Sequence, residues 1–215
     1  MDFKVCEIFM SIQGESTFSG RPCVFVRLSG CNLNCTWCDT VYAKTEYTAM
    51  SLETILDRVR SFSCGLVEIT GGEPLLQAGT PTLINRLLDL GRTVLLETNG
   101  SFSLAGVDPR CVRIMDIKCP LSGESGSNDT GNLDLLTPLD EVKFVLAGET
   151  DYEFARTFIT GNRLLRLGPG NIHLSPVAGS LTPETLAHWM IRDNINARLS
   201  LQLHKLIWDP EKRGV

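Results

Sequence analysis

Cys31-Asn-Leu-Asn-Cys35-Thr-Trp-Cys38 sets three thiols in one short loop, three residues and then two apart. Thiolates are soft ligands that suit iron–sulfur clusters and zinc. Three of them can hold three irons of a four-iron cubane. Such clusters usually take four cysteines, so a triplet with no fourth cysteine in its loop leaves one iron open to a substrate or cofactor. The competing readings fit less well. A structural zinc site shows two ligand pairs, and no second Cys/His pair follows at finger spacing. Disulfide frameworks belong to short secreted chains. An electron-transfer ferredoxin needs a fourth ligand and usually a smaller chain.

Composition frames this loop. The chain has 215 residues, 43% apolar and 21% charged, with a net charge of −5. That is ordinary globular composition, and it predicts one domain over residues 1–215 with a sizeable core. No basic run marks a nucleic-acid groove. No stretch approaches a membrane span. The first residues lack the charged-then-apolar pattern of a signal peptide. Eight cysteines without such a signal predict a reducing, cytoplasmic setting. Cys6, Cys23, Cys64, Cys111 and Cys119 lie in apolar or mixed strand-like surroundings, and most of them read as small buried hydrophobes.

Outward from the loop, strand and helix patterns alternate. Pro22–Ser29 reads as a strand running into the cysteines. Leu66–Thr70, Thr93–Glu97, Val112–Asp116, Glu141–Leu146 and Asn171–Ser175 read as further strands, with Leu199–Leu203 closing the series. Between them Ser51 caps a helix over Leu52, Ile55, Leu56 and Val59. Thr80-Pro81 opens a second, Thr150-Asp-Tyr-Glu153 forms a capping box for a third, and Thr182-Pro183 opens the last. Strands alternating with helices imply βαβ units and a parallel sheet. About six such units without a linker predict a single-domain partial, open α/β barrel. The Gly/Ser/Asn-rich stretch from Leu121 to Gly131 reads as a mobile loop.

In such folds ligands gather at the C-terminal ends of the strands. There the chain places the cysteine loop, Thr70-Gly71-Gly72-Glu73-Pro74, Glu97-Thr98-Asn99-Gly100, Asp116-Ile117-Lys118 and Ser175-Pro176-Val177. Two glycines permit close approach of backbone to a ligand, although a glycine turn fixed by Pro74 is an equally simple account of that segment alone. Gly-Gly-Glu-Pro following Cys-x3-Cys-x2-Cys by about one βα unit resembles the radical S-adenosylmethionine enzymes. The resemblance implies a [4Fe–4S] cluster on Cys31, Cys35 and Cys38. It also implies that the methionyl amine and carboxylate of S-adenosylmethionine take the open iron. Reductive cleavage would then give a 5′-deoxyadenosyl radical. Trp37, Gly72, Glu73, Glu97, Asn99, Lys118 and Ser175 become the expected cofactor contacts. The cofactor would carry the radical chemistry while the protein positions and shields it.

The remaining polar segments point to the substrate. Gln13, Glu15, Arg27 and His204 supply acceptors and a guanidinium that could read a guanine-like edge and a carboxylate. Taken singly, Glu15 and Arg27 read as a surface or structural pair, and His204 as a satisfied structural histidine. As a set, Ser11–Ser16, Arg27–Thr40, Gly71–Pro74, Glu97–Gly100, Asp116–Lys118 and Gln202–Lys205 resemble the 7-carboxy-7-deazaguanine synthase family across nearly the whole chain. This resemblance implies a lyase that contracts the ring of 6-carboxy-5,6,7,8-tetrahydropterin with loss of ammonia, for queuosine-type 7-deazapurines. It implies substrate contacts at Ile12, Gln13, Gly14, Glu15, Arg27, Thr70, His204 and Val215. It implies Mg2+ at Thr40, an oxygen ligand of the kind magnesium prefers. A homodimer and an external one-electron, flavodoxin-like reductant are implied as well. The tail from Trp208 to Val215 is expected either to fray, as chain ends do, or to cover the barrel mouth. The rival reading is a glycyl-radical-enzyme activase, which shares the triplet and compact barrel but acts on a partner protein. A non-enzymatic iron–sulfur or zinc module is the alternative from another class.

Overall fold

The structure is a computed structural model, and it describes residues 2–209 and 212–215. Its sheet has nine strands in the order β3-β1-β2-β4-β5-β6-β7-β8-β9. These are β1 (Asp2–Ile12), β2 (Pro22–Leu28), β3 (Thr48–Ser51), β4 (Leu66–Gly71), β5 (Thr93–Thr98), β6 (Val112–Ile117), β7 (Glu141–Leu146), β8 (Ile172–Pro176) and β9 (Arg198–Leu199). From β2 through β4 to β9 each neighbouring pair is parallel, whereas β1 pairs antiparallel with both β2 and β3. This is the open α/β barrel expected, with an antiparallel edge added.

Alternation along each strand gives the sheet two faces. Val24, Val26 and Leu28, then Val67 and Ile69, then Val94 and Leu96, then Phe144 and Leu174 are fully or almost fully buried. The helices supply apolar stripes at i, i+3 and i+4 spacing for this core. Helix α1 (Leu52–Arg60) buries Ile55, Leu56 and Val59, and α2 (Thr80–Asp89) buries Leu83, Ile84 and Leu87. Helix α3 (Glu149–Gly161) buries Tyr152, Ala155 and Ile159, and α4 (Pro183–Arg192) buries Leu186 and Met190. Each of the Leu, Ile, Val and Met side chains contributes about 1.5–3 kcal/mol of burial.

The intervening strand positions carry most of the polar and ionisable groups among some apolar ones. In-register neighbours include Phe25 beside Glu68, Arg27 beside Thr70, Asp116 beside Lys143, Lys143 beside His173, and Val145 beside Ser175. One face of the sheet therefore carries a row of ionisable groups, and it lines the inside of the bowl.

Several local expectations are corrected. The sheet does not begin at Pro22, because Asp2–Ile12 forms the long strand β1. Gly79, not Thr80, precedes α2, and the Thr80 hydroxyl instead donates to the Pro74 carbonyl at 2.6 Å. Helix α3 starts after Gly148, so Thr150–Glu153 lie inside it and form no capping box. Asp151 accepts instead from the Leu121 and Ala147 amides, at 2.9 Å each. The closing strand shrinks to Arg198–Leu199, and Leu203–Ile207 is a short helix, α5, carrying His204. The stretch after Lys118 is built from three 3-10 turns. Its asparagines are fasteners: buried Asn132 donates to the Gly100 and Phe102 carbonyls and accepts from the Leu104 amide. Short polar side chains that bridge backbone groups in this way look like solvated loop in sequence.

Candidate active site

Strand β2 ends at Leu28 and delivers the chain to Gly30, whose φ of 98° suits glycine. The cysteine loop follows. Strand β4 ends at Gly71, and Gly71 and the following Gly72 press directly against that segment. A Cβ on Gly71 would meet the Leu28 carbonyl oxygen at 2.1 Å, and one on Gly72 would meet the Gly30 oxygen at 2.2 Å and the Cys31 Cβ at 2.8 Å. The Glu73 amide also donates to the Gly30 carbonyl at 2.8 Å. The glycines therefore let the second strand-end loop lie on the first. The close approach they permit includes protein backbone, which the sequence alone did not reveal. Gly72→Val is accordingly expected to lower iron content after reconstitution as well as S-adenosylmethionine affinity. Normal iron content with weakened titration would confine the clash to the cofactor.

Glu73 is buried, and its carboxylate accepts from the Leu75 amide (2.9 Å), the Asn99 amide (2.7 Å) and the Thr98 hydroxyl (2.9 Å). Burial raises its pKa, and those donors pull the other way. The side chain ties β4's loop to β5's loop. Asn99 extends the tie, donating from its side chain to Asn32 Oδ1 at 3.1 Å. Trp37 is half-buried in the cysteine loop. Asn34 and Thr36, on either side of Cys35, donate their amides to Glu124 Oε1 (2.6 Å) and the Ser122 carbonyl (3.0 Å).

All three loop cysteines are free and half-buried. Among the described residues no three His, Cys, Asp or Glu side chains converge on a single ion. A cubane spans four metals and does not require its ligands to meet at one point. Burial raises the Cys35 thiol, while the Lys118 charge lowers it. Lys118 donates to Asp116 Oδ2 at 2.8 Å. The other Asp116 oxygen, Oδ1, and the Ser175 hydroxyl are buried with no protein partner among the described residues. Buried polar atoms are normally hydrogen-bonded, so this pair on the bowl's inner face fits a polar ligand. Free thiols, the glycine-packed loop and these orphan groups together fit a thiolate-held cluster with a small polar cofactor beside it. Thr40 is half-buried, its hydroxyl 3.9 Å from Cys38 Sγ, and it does not cap the turn that follows. Asp39 is paired with Lys205 at 2.8 Å.

Of the expected substrate residues the structure brings Gln13, Gly14, Glu15 and His204 together, and it sets Arg27 beside Thr70. Lys143 Nζ lies 2.7 Å from Glu15 Oε2 and also contacts Glu97. Burial pushes the Glu15 carboxyl up, but Lys143 and the Gln202 amide outweigh it and hold the group at about 2. Gln202 donates to Glu15 Oε1 at 2.6 Å. Gln13 donates to Glu68 and accepts from the Glu15 amide, so both ends of its amide are occupied by protein. Burial and then the Glu97 charge raise the Glu68 pKa far above the usual carboxylate range. Gly14 faces His204: a Cβ there would fall 2.3 Å from His204 Nδ1. The Leu203 amide donates to the Gly14 carbonyl at 3.0 Å. Burial lowers the His204 pKa and favours the neutral imidazole. Ile12 ends β1 opposite Pro22, and Thr70 is buried beside Arg27. Arg27 does not pair with Glu15, since Glu7 takes its Nε at 2.7 Å. Val215 is half-buried, and two residues earlier Arg213 reaches Glu46 at 3.0 Å.

Sequence reasoning missed Glu68, Lys143, Gln202, Glu7 and Tyr42. Glu68 and Lys143 had a signal, since Glu68 is a lone charge in an apolar strand run and Lys143 follows Glu141 at period two in another. Glu7 and Tyr42 had none.

The Radical SAM superfamily model matches residues 25–158. The 7-carboxy-7-deazaguanine synthase of Chlorobaculum tepidum is 48% identical over 98% of this chain and 96% of its own length. That of Koribacter versatilis is 44% identical over 99% of this chain and all of its own length. The chain belongs to the 7-carboxy-7-deazaguanine synthase family. In three dimensions it is similar to the crystal structure of QueE from Escherichia coli, with a TM-score of 0.73 and 25% identity over 94% of each chain. A radical S-adenosylmethionine enzyme of this family carries a [4Fe–4S] cluster and S-adenosylmethionine. Among the described residues no helix is long and apolar enough to cross a membrane.

Proposed function

We infer that the chain converts 6-carboxy-5,6,7,8-tetrahydropterin to 7-carboxy-7-deazaguanine with loss of ammonia, as one unit over residues 1–215. The observation that carries this reading is the joining of two sets of groups in one bowl: the cysteine and glycine loops at its rim, and the Gln13–Glu15–Lys143–His204 cluster beside them. An activase must admit a segment of a partner protein. Here the N-terminal extension and α5 are bonded to each other through Gly14 and Leu203, which favours a small, enclosed substrate.

When bound, the cluster and S-adenosylmethionine would supply radical hydrogen-atom chemistry at the substrate. Cys31, Cys35 and Cys38 would hold the cluster. Gly72, Asn99, Lys118 and Ser175, with Trp37 and Glu97, would hold the cofactor, and Glu73 fixes their loops. Ile12, Gln13, Gly14 and Thr70 would offer backbone and hydroxyl groups to the pterin. The neutral His204 would accept or donate at its rim, and Glu15, kept ionised by Lys143, would accept from ring N–H donors. Arg27 would take the substrate carboxylate, and Val215 would close on the substrate from the tail. Thr40 would give Mg2+ a hydroxyl ligand. We place the enzyme in the cytoplasm, as a homodimer served by a flavodoxin-like one-electron donor, with no role for nucleic acid.

Anaerobic reconstitution followed by incubation with the pterin, S-adenosylmethionine and dithionite tests the reading. Many turnovers of deazaguanine per cofactor consumed are expected. Cofactor cleavage with no pterin product would overturn it. Thr40→Ala is expected to flatten the magnesium activation curve while leaving iron content unchanged. An unaltered curve would leave Thr40 a loop residue only.

A further inference from the structure

Among the described residues, Arg27 bonds to protein through one nitrogen. Its Nε donates to Glu7 Oε1 at 2.7 Å, and its guanidinium carbon lies 5.8 Å from the centre of the Phe9 ring. Phe9 in turn stacks on Phe25, centroids 5.1 Å apart. Among the described residues nothing accepts from Arg27's two terminal nitrogens. A guanidinium held by Nε and one ring face keeps the edge that pairs with a carboxylate in two parallel bonds. The same Glu7 oxygen also accepts the Tyr42 hydroxyl at 2.9 Å. On the Tyr42 ring sits the guanidinium of Arg213, 3.7 Å from the centroid, with Glu46 holding one of its nitrogens at 3.0 Å. Four side chains from β1, β2, the turn after the cysteine loop and the chain's end thus form one continuous contact.

We propose that Glu7 and Tyr42 are positioning residues that aim Arg27's free edge at the substrate carboxylate, and that Arg213 docks the tail on the same tyrosine. The inference rests on Arg27 receiving that carboxylate. Physical coupling is direct: the Tyr42 hydroxyl leaves Glu7 one defined position, and Glu7 sets the plane of the guanidinium. An arginine without that brace keeps its charge but samples several rotamers, and ordering it again on binding costs affinity. A cation over the Tyr42 ring adds a contact of its own, so tail docking and Arg27 orientation share one residue.

The test is steady-state kinetics on the reconstituted enzyme with Glu7→Ala, Glu7→Gln, Tyr42→Phe and Arg213→Ala. Wild-type turnover of the pterin is the control for the functional reading itself; its absence would sink that reading and not this one. Glu7→Ala is expected to raise the pterin KM about tenfold or more, the scale of a lost charge-assisted hydrogen bond. The KM for S-adenosylmethionine and the iron content should stay at wild-type values. Glu7→Gln keeps an oxygen acceptor and should recover most of the loss. Tyr42→Phe keeps the ring under Arg213 and removes only the brace. Its effect should combine with that of Arg213→Ala less than multiplicatively, because both act through one tyrosine. Wild-type pterin KM in both Glu7→Ala and Tyr42→Phe would overturn the proposal. So would equal rises in the KM of both substrates, or fully multiplicative effects of Tyr42 and Arg213.

Discussion

Cys35→Ala is expected to give a folded protein with no four-iron absorbance and no measurable S-adenosylmethionine cleavage. The chain offers no substitute ligand: of the other cysteines, Cys23, Cys64, Cys111 and Cys119 are buried in the core and Cys6 sits in β1. The loop itself should survive, because the Asn34 and Thr36 amides are bonded to the segment after Lys118. Circular dichroism should therefore match wild type while iron analysis and the 5′-deoxyadenosine assay collapse. Full activity in this variant would end the radical reading outright.

Lys143→Met is expected to be the costliest single change inside the bowl. It removes the buried cation that half-buried Glu15 and Glu97 share, a loss of up to about 3–5 kcal/mol, the scale of a broken buried pair. The pH dependence gives a sharper signature. In the native enzyme Glu15 is held at about 2, below its ordinary value of 4.5. Its stabilising contribution is thus complete above 4.5 and is lost as pH falls towards 2. Without Lys143, burial dominates and raises that carboxyl, so folding then favours the protonated form and stability falls as pH rises through the mid-fours. The gap between wild type and variant should widen from pH 4 to pH 7 in denaturant titrations. A gap independent of pH would mean that Lys143 contributes packing and not charge. Glu15→Gln in the Lys143→Met background should recover part of the loss.

The barrel was legible because its information is local. Apolar runs such as Leu66–Thr70, broken by capped helices, specify parallel strands whatever lies elsewhere. The antiparallel edge was not, since Asp2–Ile12 mixes apolar, half-buried and exposed positions and takes its meaning from β2 and β3. Nor was α5, where five residues carry too little periodicity to separate helix from strand. In the site, the loop motifs could be read because each is a contiguous string. The charge pairing could not: Glu15 and Lys143 lie 128 residues apart, and Arg27's partner is Glu7, with no spacing rule to connect them. Gly72 shows the intermediate case. Its type announced a close approach, and only the fold showed that the approach includes the cysteine loop itself.

The turns that follow Lys118 carry a consequence for metal loading. They grip the cysteine loop on both sides of Cys35, and Asn132 anchors them to the loop beyond β5. A chelating loop that is still flexible must surrender its freedom when the metal arrives, at about 1–2 kcal/mol for each residue fixed. Here the bonds from the Asn34 and Thr36 amides to those turns offset part of that cost, so the cysteines face a cluster with less freedom left to lose.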